Sequence, residues 1–105
     1  MAKKRGIRIR ISYQRLEALG EICGEMLEEF RPANDHHQLL REYLAELHEK
    51  LYAMLRRNQE LYTLILMGAE TTAFYQLWNL LDISRDKYAI LIVDNLLKKM
   101  SSMAA

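Results

Sequence analysis

The stretch HHQLLREYLAELHEKLYAMLRRNQELYTLIL, residues 36–66, decides how this chain is read. Leu40, Leu47, Met54 and Leu61 recur at one heptad position and Leu44, Leu51, Asn58 and Ile65 at another, with no Pro or Gly inside the run. Apolar residues at alternating three- and four-residue steps line one face of an α-helix. A helix over 35–67 would be roughly 50 Å long. A small chain cannot cover such a helix on every side, so the pattern predicts packing against a second copy as well as against its own chain.

Asn58 is the most informative residue of the run. A lone Asn in an apolar seam fixes the register of a parallel two-stranded coil, because each side chain pairs only with its aligned counterpart. Leu55, Tyr62 and Leu64 widen the apolar face around it beyond what a two-stranded coil uses. Faces that wide belong to bundles, so a core shared between subunits fits better than a zipper. The third reading is that Asn58 marks a bend or the end of the helix.

Working outward, Ile7, Ile9 and Ile11 alternate with Arg8, Arg10 and Ser12, a period of two that predicts a strand over 6–12. A lone strand leaves its backbone groups unpaired. The expected partner is the same strand of a second subunit, the other reading being a disordered basic arm. Ser12 can cap a helix over 13–30 whose stripe is Leu16, Leu19, Cys23, Met26, Leu27 and Phe30. Gly20 and Gly24 lie on the same side and permit close approach of another helix, at a cost of about 1 kcal/mol each. Pro32 ends that helix.

Asn34 or Asp35 caps the long helix, with Gln38 completing a capping box, and Gly68 can close it. Thr71 or Thr72 opens a helix over 72–81 carrying Phe74, Leu77, Trp78 and Leu81. Ser84 caps a last one over 85–100. Its stripe of Tyr88, Leu91, Ile92, Asn95, Leu96 and Met100 is widened by Ile90 and Val93, which predicts burial on more than one face. Residues 101–105 are expected to fray. The expected fold is mainly α: one domain, 1–105, a helical bundle around one long central helix, with a short N-terminal β-strand paired between subunits.

Net charge is +1, but its distribution is uneven. Lys3, Lys4, Arg5, Arg8, Arg10 and Arg15 stand at the start without an acidic residue among them. Residues 16–49 hold nine acidic residues against Arg31 and Arg41. The basic arm either lies against an acidic helix or meets an external polyanion. A single Cys, Cys23, leaves no intrachain disulfide framework, and no apolar run approaches a membrane span. A cytoplasmic chain without a membrane partner is expected.

No phosphate cradle or nucleophile elbow occurs. Cys23 falls on an apolar stripe, flanked by Glu21 and Glu25, which disfavour a thiolate. His37 and His48 are three turns apart, too far to share an ion, and His36 and His37 diverge. Tyr62, Phe74, Tyr75, Trp78 and Tyr88 recur at helical spacings that suit a core better than a ligand pocket. No enzyme activity, metal, cofactor or small-molecule ligand is expected.

The segment from Arg5 to Phe30, an alternating strand followed directly by a helix, resembles the start of ribbon-helix-helix DNA-binding proteins. The resemblance implies a strand paired with its twin, Ile7, Ile9 and Ile11 buried, and Arg8 and Arg10 turned outward to nucleic acid. The first helix is longer than in that family, and 31–34 lacks its Gly-containing turn.

Two functions are therefore expected in order. The first is a non-enzymatic, self-associating interaction or scaffold module, a homodimer or higher homo-oligomer joined through Ile7, Ile9, Ile11, Leu40, Leu44, Leu47, Leu51, Met54, Asn58, Leu61 and Ile65. The alternative is a nucleic-acid-binding regulator using Lys3, Lys4, Arg5, Arg8 and Arg10.

Overall fold

The structure, a computed structural model, describes residues 7–81 and 87–104. It is mainly helical with one short two-stranded antiparallel sheet. In chain order the elements are β1 (Ile7–Ser12), α1 (Tyr13–Glu29), α2 (Asp35–Leu55), β2 (Leu61–Leu66), α3 (Gly68–Leu80) and α4 (Lys87–Ala104). No helix among the described residues is long and apolar enough to cross a membrane.

The local signals at the first two helices act as their chemistry dictates. The Ser12 hydroxyl accepts from the Arg15 N–H at 3.3 Å, and the Asn34 carboxamide oxygen accepts from the His37 N–H at 2.9 Å. Each satisfies a donor that the first turn leaves without a partner, at a gain of about 1 kcal/mol. At the far end of α1, the Arg31 guanidinium donates to the Glu28 carbonyl at 2.6 Å and that of Arg41 to the Leu27 carbonyl at 3.4 Å. Both cations sit where the helix dipole is negative. Asp35 neither caps nor forms a box with Gln38; Gln38 donates instead to Glu42.

The long helix is not continuous. α2 stops at Leu55, and the next residues unwind through Arg57 N–H to Met54 and Asn58 N–H to Leu55 carbonyl bonds, both spanning three residues. Asn58 then adopts φ 55°, a left-handed conformation that Asn tolerates better than other side-chained residues. Of the three readings of Asn58, the helix end is the one seen. Leu61 to Leu66 consequently form a strand, with alternate residues buried.

That strand is the partner of β1. The pairing is antiparallel within the chain, from Ile7 opposite Leu66 to Ser12 opposite Leu61. The expectation that β1 lacks an internal partner is corrected here, and with it the reason for pairing it to its twin. Gly68 likewise opens α3 instead of closing α2, and Thr71 and Thr72 lie inside α3. The start of α3 is held by Glu70, whose carboxylate accepts from the Met67 N–H at 2.9 Å. Ser84 lies outside the described residues, as do the side chains of Tyr88 and Met100.

One core unites the elements. The seam residues Leu40, Leu44, Leu47, Leu51 and Met54 are all buried in it, with Leu16, Leu19 and Met26 of α1 opposite. Ile9, Ile11, Tyr62, Leu64 and Leu66 roof it from the ribbon, while Phe74, Leu77 and Trp78 close it from α3. Gly20 and Gly24 do approach a helix closely, but the helix is the chain's own α2. A Cβ on Gly20 would lie 3.1 Å from the Tyr52 ring, and one on Gly24 would lie 3.4 Å from His48. On α4, Ile92, Val93 and Leu96 are buried, whereas Ile90 and Leu91 are exposed, so its apolar residues are not all covered.

Candidate functional site

The α2 face expected to meet another subunit is spent inside the monomer. Leu40, Leu44, Leu47, Leu51 and Met54 are buried against the chain's own elements, and Asn58 lies in the turn after α2. Leu61 and Ile65 are brought together elsewhere. They lie on the outward face of the ribbon, 48% and 41% exposed, beside the side chains of Arg8 and Arg10. Ile9 and Ile11 face the core as alternation predicts. Lys3, Lys4 and Arg5 lie outside the described residues.

The only ion pair among the described residues is Lys50 with Glu70, at 2.6 Å. Lys50 also donates to the Ile65 carbonyl at 2.9 Å, so it stitches the outer edge of β2 and the start of α3 to α2. No cluster of three or more His, Cys, Asp or Glu side chains able to hold a metal ion occurs among the described residues. Cys23 is fully buried, and burial pushes its thiol far above the ordinary range. A thiol held neutral is a packing residue, not a nucleophile. Phe74 and Trp78 are core, as their helical spacing predicts; Tyr62 is core from strand β2 instead of a helix, and Tyr75 is exposed.

The ribbon has two unequal edges. Tyr13 N–H donates to the Glu60 carbonyl at 3.2 Å, which continues the ladder by one bond and, by alternation, makes Ile11 with Tyr62 and Ile9 with Leu64 the hydrogen-bonded pairs. The backbone groups of Arg8 and Arg10 therefore point away from β2. On β2 the same rule turns the Ile65 carbonyl away from β1, which agrees with its bond to Lys50. The β2 edge is thus bonded to a side chain of the core-facing layer. The β1 edge, among the described residues, has no backbone partner beyond β2.

Beside that open edge runs a groove of about 320 Å³. One wall is β1 from Ile9 to Ser12; α1 contributes Arg15 and Leu19, and α4 contributes Ile92, Asn95 and Leu96. Most of its lining is apolar, and Arg10 and Arg15 are the charged residues among the described ones that line it. The sequence names Arg10 as a site residue for its charge but contains no signal for the groove, which requires α4 to fold back beside β1. No protein-family model, no curated protein and no solved structure matches this chain.

Proposed function

We propose that this chain is a non-enzymatic interaction module whose working element is the ribbon and whose mode of binding is strand addition at the open edge of β1. The observation that carries this reading is the outward-directed backbone of Arg8 and Arg10, without a partner among the described residues, beside a groove. An edge of this kind supplies main-chain hydrogen bonds to an extended segment, while neighbouring pockets select its side chains. The segment is either β1 of a second copy, which gives the homodimer expected from the sequence, or a strand of another protein.

Amide hydrogen exchange tests it. The chain is followed over a concentration series, and in the presence of an N-acetylated hexapeptide of alternating valine and threonine. Slowed exchange at the Arg8 and Arg10 amides in either series supports strand addition. Unchanged exchange in both overturns it. Arg10→Pro, which removes an edge N–H without touching the ladder to β2, should abolish the protection.

A second reading, a nucleic-acid-binding regulator, has an observation of its own. Arg8 and Arg10 are exposed, and neither forms an ion pair with a carboxylate among the described residues. A two-stranded ribbon fits the major groove, and Arg can reach guanine edges or phosphates. This reading predicts salt-sensitive binding to duplex DNA that Arg8→Ala with Arg10→Ala abolishes while the helices stay folded.

A further inference from the structure

We infer that the groove between β1 and α4 receives an extended segment of a different protein in which apolar and acidic residues alternate. The inference rests on the strand-addition reading and names the occupant of that edge. Strand addition sets the backbone of the segment parallel to β1, so its side chains point alternately to the two faces of the ribbon. On one face they come against the small apolar surface that Ile92 and Leu96 leave accessible beside Ile9 and Ile11. On the other they come beside Arg10, with Arg15 at the end of the groove.

Charge decides the polar positions. Among the described residues neither guanidinium is paired with a carboxylate, and none of those lining the groove is acidic. A carboxylate on the incoming strand is the complement that this arrangement lacks. The same charges disfavour a second β1. The antiparallel registers that overlap most of the strand set Arg10 opposite Arg10 or Arg8, and like charges directly opposite each other destabilise a pair of strands. The volume of about 320 Å³ suits the side chains of a short segment and not a folded surface.

Fluorescence anisotropy with four labelled hexapeptides tests this. The first alternates glutamate with isoleucine, the second replaces glutamate by glutamine, the third is the acidic peptide N-methylated at alternate residues, and the fourth has the sequence of residues 7–12. The acidic peptide should bind about tenfold tighter than the glutamine peptide at low salt. Arg10→Gln with Arg15→Gln should bring that ratio close to one, and N-methylation should abolish binding. Equal binding of the acidic and glutamine peptides, both lost on N-methylation, overturns the acidic preference and leaves strand addition standing. Tighter binding of the 7–12 peptide than of the acidic one assigns the edge to a second copy and also overturns the inference. Binding that survives N-methylation, or no binding by any unmethylated peptide, overturns strand addition itself.

Discussion

The two strands of the ribbon have the same length and the same alternation of buried and exposed side chains, yet they are opposite in what they show to solvent. β1 presents Arg8 and Arg10; β2 presents Leu61, Thr63 and Ile65. The outer face of β1 therefore writes the period of two into the sequence, and that of β2 erases it. A strand whose exposed positions are apolar reads as a continuous hydrophobic run, and here that run continues the heptads of the preceding helix. The lesson is that polar residues on the exposed face, more than apolar ones on the buried face, make a strand legible.

Leu64 is fully buried opposite Ile9, so Leu64→Ala should cost about 3 kcal/mol in urea unfolding, whereas Ile65→Thr, one residue on, should cost less than about 0.5 kcal/mol. Equal costs would mean that the two faces of β2 are not distinct. Next in size is the bonded edge. Lys50→Met leaves the buried Glu70 carboxylate without its cation and the Ile65 carbonyl without its donor. The loss should be about 2 kcal/mol, less than for a fully buried pair because the Lys50 side chain is 31% exposed.

A smaller effect comes from the turn that converts helix into strand. Asn58→Ala should destabilise by about 1 kcal/mol because a Cβ without a compensating polar group is strained at φ 55°, and Asn58→Gly should be neutral or slightly stabilising. If Asn58 were instead in a helix, Ala would be the better residue and the order would reverse. The smallest effect sharpens the comparison: Leu61→Thr with Ile65→Thr should leave the unfolding midpoint nearly unchanged, since both residues lie on the exposed face.

Local chemistry was readable where one residue settles one group. Ser12 and Asn34 cap the helices they precede, Pro32 follows the end of α1, and the seam leucines up to Leu51 are core. What escaped was non-local. Leu61 keeps heptad spacing with Leu47 and Met54, and Ile65 with Leu44 and Leu51, and only the pairing of a distant strand gives that spacing a different meaning. The polar run from Arg56 to Glu60 held the turn signal, with Asn58 at its centre, but the same residue has a meaning inside a coiled coil. Of the candidate site, the outward placement of Arg8 and Arg10 was legible from alternation. Its groove was not, because nothing in residues 87–104 specifies which neighbour α4 packs against.

The register of the ribbon also sets an order of events during synthesis. Ser12 pairs with Leu61 and Ile7 with Leu66, so α1 and α2 both lie within the loop that the ribbon closes. At about 5–20 residues per second, β1 leaves the ribosome several seconds before its partner exists. Closing a loop of roughly fifty residues costs entropy that the packing of α1 against α2 has largely met in advance, because that pair brings the loop ends together. The helical hairpin is thus placed to form first and the ribbon to zip last. During that interval β1 has both edges bare, and the arginines that alternate along it act as gatekeepers against pairing with neighbouring nascent chains.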